Sequence, residues 1–124
     1  MRSTLITLIG AVTFCASAAH AISQTDAPPP VVIQLLAQAG TLELTDAQVQ
    51  ALQLIRDRRD RTLAALDRRL RAAETDTTVG ATNDILTLMQ EIGRVRVLSG
   101  REALEQLTPD QRRRWVALQA GRTP

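Results

Sequence analysis

The chain has 124 residues and a formal net charge of +2, with Phe14 and Trp115 as its only aromatics, no tyrosine and no lysine. That length allows one small domain. The scarcity of aromatics and of alternating β-branched runs argues against a sheet, and so small a charge argues against a nucleic-acid partner.

The first 21 residues read as an export signal. Arg2 supplies a positive start, and Leu5 to Val12 is an apolar run broken only by Thr7 and Gly10. Ala16-Ser17-Ala18 and Ala19-His20-Ala21 both obey the small-x-small rule of signal peptidase, and the apolar run is too short to span a bilayer. Cleavage is expected after Ala21, because Ile22-Ser23-Gln24 opens a polar, proline-rich stretch; Ala18 is the alternative. Cys15 follows Phe14, where lipid attachment requires a small residue. Cleavage at either point removes the single cysteine, and after Ala21 the single histidine, His20, goes too. The mature chain is then expected in the periplasm, without disulfide, thiol or stable membrane insertion, and held by packing alone.

Residues 22–40 read as a linker and a short helix. Pro28, Pro29 and Pro30 stiffen the linker. Val31 to Ala39 can then turn helical until Gly40, at a C′-like position, stops it. Residues 41–121 read as the main domain. Thr45 is placed to cap a helix, and Gln48, three residues on, to complete a capping box; Leu44 and Val49 stand where a hydrophobic staple would. Leu52, Ile55, Leu63, Leu66 and Leu70 then recur at helical spacing, interrupted by Arg59, which predicts one helix from about Asp46 to Glu74. Thr75 to Asn83 is turn-like in composition. A second long helix is expected from about Asp84 to Gln106, with Ile85, Leu88, Met89, Ile92 and Val95 inward and a break possible near Ser99-Gly100. Thr108, Pro109 and Gln111 repeat the capping box, although Arg112 takes the staple position. Gln111, Trp115 and Leu118 share one face of a last short helix that Gly121 ends.

The fold expected is therefore all-α, a long antiparallel helical hairpin with short flanking helices. Two thin helices bury little by themselves. Either a homodimer or the folding back of the first short helix is needed to cover them.

Two Leu-Thr-x-x-Gln motifs, Leu44-Thr45 with Gln48 and Leu107-Thr108 with Gln111, open the first long helix and the last helix. With the export signal, the size and the helical pattern, they make residues 42–118 resemble the Spy/CpxP family of periplasmic stress proteins, which includes zinc-resistance-associated and metal-sensing relatives. The resemblance implies a hairpin that dimerises into a curved cradle. It also implies a chaperone that works without ATP or any cofactor, with unfolded envelope proteins as clients. The alternative it allows is a regulatory partner that binds the periplasmic domain of an envelope-stress or heavy-metal sensor. Leu44, Thr45, Gln48, Leu107, Thr108 and Gln111 are expected to be structural, each cap contributing about 1 kcal/mol.

Arg56, Arg58, Arg59, Arg61, Arg68 and Arg69 are the candidate client- or partner-binding residues. As a solvated face they would be braced by Asp57–Arg61 and Asp67–Arg71 pairs. As a binding surface, unpaired guanidinium groups, Arg59 above all, would meet carboxylates and apolar side chains of a client. Arg112-Arg113-Arg114 beside Trp115 is a smaller basic patch. No metal site is expected, since the mature chain lacks the His and Cys ligands that zinc, nickel or cobalt prefer and its one methionine, Met89, lies in the inward stripe. An enzyme is not expected either: no activated nucleophile or His base is present, and Glu102 and Glu105 read as exposed helix carboxylates.

Overall fold

The computed structural model describes residues 27–121. The export signal, Cys15, His20 and both cleavage sites lie outside the described residues. Within them the fold is all-helical: α1 (Val31–Ala37), α2 (Asp46–Glu74), α3 (Ala81–Glu105) and α4 (Pro109–Gln119). No helix among the described residues is long and apolar enough to cross a membrane.

α2 and α3 form the hairpin. Their antiparallel register is marked by two ion pairs across the seam, Arg58 with Glu102 and Arg69 with Glu91. With 29 residues, α2 is about 43 Å long at 1.5 Å per residue. Both of its ends and its inward positions match the periodicity, with Leu52, Ile55 and Leu66 buried. α3 starts at Ala81, three residues before the expected Asp84. Ala81 is itself buried at the tip of the hairpin, so packing draws the first turn back to Gly80, and Asp84 instead lends its charge to that turn. No break occurs at Ser99-Gly100. The helix runs on through Ser99, which is buried with its hydroxyl donating to the Arg96 carbonyl at 3.0 Å, and through Gly100, where a Cβ would make ordinary contact with Val31 of α1 at 3.7 Å.

α1 folds back onto both long helices, the second of the two ways foreseen for covering them. It ends at Ala37 rather than Ala39, and Gly40 is not its left-handed stop. The chain instead continues in helical turns through Leu42. It closes with Leu44 N–H on the Ala39 carbonyl at 2.9 Å and Glu43 N–H on the Gly40 carbonyl at 3.1 Å. This is a Schellman arrangement with Glu43, at φ 53°, in the place glycine usually takes. The extra turn carries Leu42 to a fully buried position in the core, which outweighs the roughly 1–2 kcal/mol cost of a left-handed non-glycine residue.

The core sits at one end of the molecule. Val32, Leu35, Leu42, Leu52, Ile55, Ala103, Leu107 and Trp115 form a single cluster, drawn from the four helices, the turn after α1 and the link between α3 and α4. Beyond Ile55 the hairpin has no third layer, and its buried side chains are the isolated Leu66, Ala81, Leu88 and Ser99.

Candidate functional site

The two capping boxes form as the sequence predicts. The Thr45 hydroxyl accepts from Gln48 N–H at 3.2 Å and Gln48 Oε1 from Thr45 N–H at 2.9 Å. Thr108 and Gln111 repeat this at 3.3 and 2.9 Å. The caps also meet each other, which their spacing does not reveal. Gln48 Nε2 donates to Gln111 Oε1 at 2.8 Å and Gln111 Nε2 returns a bond to Gln48 Oε1 at 3.1 Å. Each amide then spends its second hydrogen on the carbonyl two residues before the other motif's threonine: Gln48 on Gln106 at 2.8 Å and Gln111 on Glu43 at 3.2 Å. Both side-chain amides thus use two donors and two acceptor sites, their full capacity. The motifs are one pseudo-symmetric joint that locks the start of α2 to the start of α4. A glutamate would serve either capping box alone but has no hydrogens for the joint; the identical Gln in both motifs was the signal that could have foretold it.

Glu43 is held in the same joint. Besides its carbonyl, its carboxylate accepts from Arg114 Nη1 at 2.6 Å. That hydrogen bond, and then the charge of Glu43, raise the Arg114 pKa further above its ordinary value. α4 is tied to α1 as well, through Gln119 Nε2 donating to Gln34 Oε1 at 3.1 Å. Trp115 and Gln111 are buried and Leu118 packs against the core, as their shared face predicts.

The candidate arginines do not form one surface. Arg58 and Arg69 lie along the α2–α3 seam and pair with Glu102 and Glu91. Arg56 binds its neighbour Asp57 at 2.9 Å, so the expected Asp57–Arg61 pair is replaced, while Asp67–Arg71 forms at 2.7 Å. Arg59 is neither exposed nor unpaired. Its side chain is 11% exposed, paired with Asp60 at 2.6 Å, and lies in the seam beside Ile55, Val95 and Leu98. Its Nε is buried without a hydrogen-bond partner. The long Arg59 side chain fills the seam beside these apolar residues, at the expense of that one donor. Only Arg61 and Arg68, two helical turns apart and both exposed, make no ion pair among the described residues and share a solvent face.

Exposed apolar residues were the less legible half of the surface. Met89 is not inward but 58% exposed, and it is joined outside by Leu86 and Val97. These three, with Gly93 between them, recur at intervals of three and four along one outer side of α3. α3 thus carries two apolar stripes, one on α2 and one without a partner. The spacing of Leu86, Met89, Gly93 and Val97 is visible in the sequence, but the inward stripe overlaps it at Met89. Glu102 is half-buried in its pair with Arg58 and Glu105 is exposed. In the basic triplet, Arg113 pairs with Asp110 and Arg114 with Glu43, and Arg112 alone makes no ion pair among the described residues. Among those residues no three acidic, His or Cys side chains gather as a metal site would require.

No family model, no curated protein and no solved structure matches this chain.

Proposed function

We propose that this protein is an ATP-independent, chaperone-like binder of unfolded or aggregating polypeptides in the periplasm. The observation that carries the reading is the unpartnered apolar stripe of Leu86, Met89 and Val97 on a long helical arm. Exposed apolar side chains in a row suit extended, apolar segments of many sequences, and Met adapts to varied partners. Arg61 and Arg68, free on the other helix, add guanidinium groups that attract acidic clients. The paired Leu-Thr-x-x-Gln motifs and the resemblance to the Spy/CpxP family support the same reading. In it, the core end is a rigid base and the arm is the working surface.

The test is light scattering of a reductant- or heat-aggregating client, without ATP, in the presence of residues 22–124. Suppression at near-stoichiometric protein is expected. Leu86→Asp with Met89→Asp should abolish most of it while helicity is retained, and Arg61→Glu with Arg68→Glu should weaken it chiefly at low salt. Full suppression by the Leu86/Met89 variant would sink the stripe as the client surface. A folded protein that suppresses nothing would redirect attention to a dedicated regulatory partner such as a sensor domain.

A further inference from the structure

Where α1, α3 and α4 meet, the molecule has an open groove of about 630 Å³. Its floor is apolar, made by Gly100, Leu104 and the ring of Trp115, and its two lips are Val97 and Val116, each 65% exposed. The rim is one-sided in charge. Arg96, Arg101 and Arg112 line it against a single carboxylate, Glu105. None of these three arginines makes an ion pair among the described residues, whereas Arg58, Arg69, Arg113 and Arg114 all do.

The groove follows α3 from Arg96 to Glu105, about 13 Å at 1.5 Å per residue. That length matches two to three turns of a docked helix and the spacing of i, i+4 and i+7 anchors. An enclosed small-molecule site would bury most of its ligand; here the lips are exposed and the trough is open, which fits side chains projecting from a chain. Three unneutralised guanidinium groups around an apolar floor select for carboxylates beside those anchors, because charged rims mainly set partner choice and encounter rate.

We propose that this groove docks an acidic amphipathic helix of another polypeptide, its apolar anchors over Gly100 and Trp115 and its carboxylates on Arg96, Arg101 and Arg112. The site is distinct from the Leu86–Met89 part of the arm, and the proposal does not depend on the chaperone reading.

Trp115 is the only tryptophan and there is no tyrosine, so intrinsic fluorescence reports on the groove floor directly. The probe is a synthetic helical peptide with Leu at i, i+4 and i+7 and Glu elsewhere, titrated into the protein. A saturable shift of Trp115 emission is expected, weakened by salt. A peptide with Lys in place of Glu should bind roughly tenfold or more weakly, the equivalent of about 1.4 kcal/mol. Val116→Glu and Arg112→Glu, both at exposed positions, should each weaken binding by a similar factor. Leu86→Asp with Met89→Asp should leave it unchanged, which separates failure of this site from failure of the stripe. Equal binding of the Lys peptide, or no emission change with either peptide, would overturn the proposal. So would an emission shift that depends on the protein's own concentration without peptide, which would place a second copy in the groove. A shift with anionic phospholipid vesicles but not with the Glu peptide would overturn it too, in favour of a membrane surface.

Discussion

The two ends of this molecule are made of the same kind of helix and behave as different materials. At the core end, four helices converge, and Val32, Leu35, Leu42 and Leu52 are fully enclosed. Along the arm, two helices meet with nothing above or below, and an arginine fills a place in the seam that elsewhere holds a leucine. The difference teaches that amphipathic periodicity makes a helix, whereas a core needs a third and fourth element. Burial on one side only leaves the apolar residues of the other side for something else to use.

The sharpest way to test that contrast is a matched pair of truncations. Leu52→Ala, in the enclosed core, is expected to cost about 3–5 kcal/mol, the upper part of the range for buried leucines. Leu66→Ala, 6% exposed in the two-helix arm, should cost about 1–2 kcal/mol less, since an open seam collapses more easily onto the gap. Denaturant titration of both variants measures it; equal costs would mean the arm is as tightly packed as the core.

Next in size is the joint. Gln48→Glu keeps a capping acceptor but removes the donors to Gln111 Oε1 and the Gln106 carbonyl, and should cost about 1–3 kcal/mol. Denaturant titration of the variant and the parent measures the loss; unchanged stability would show that the amide pair does not hold α4 to α2.

The arm should gain from a change that the core end would not notice. A Cβ at Gly93 meets nothing within 4 Å, so Gly93→Ala should stabilise by up to about 1 kcal/mol through helix propensity alone. Hydrogen exchange would localise the gain, with slower exchange in residues 81–98 and little change around Trp115. A gain spread evenly over the chain would mean that arm and core unfold as one unit.

The smallest effect belongs to one of the two ion pairs that link α2 to α3. Arg58 and Glu102 have side chains 61% and 42% exposed. A double-mutant cycle to alanine should therefore return no more than about 0.5–1 kcal/mol of coupling, reduced by salt. A larger value would mark the seam as more shielded than its exposure indicates.

Much of this architecture was legible before any coordinates. The limits of α2, both capping boxes, Pro109 at the start of α4, Gly121 at its end and the inward face of Trp115 all follow from residues within a few positions of one another. The misplacements have one origin. Gly40 lost its role to Glu43 because Leu42 had to reach the core, and α3 began early because Ala81 packs at the tip. Met89 faced outward because two stripes overlap on one helix. Of the candidate arginines, Arg58 and Arg69 met carboxylates on α3, Arg56 and Arg59 paired with their chain neighbours, and Arg61 and Arg68 make no ion pair among the described residues.

What the sequence by itself determined is local: where each helix starts, which caps it uses and which side of it is apolar, since hydrogen bonds and periodicity within one or two turns set these. Only the tertiary structure decided the rest. It brought two capping glutamines, 63 positions apart, into one reciprocal amide pair. It gathered the core at one end, left the α3 stripe uncovered and opened a basic-rimmed groove over Trp115. Each of these depends on which distant segments share a neighbourhood, and no spacing along the chain encodes that.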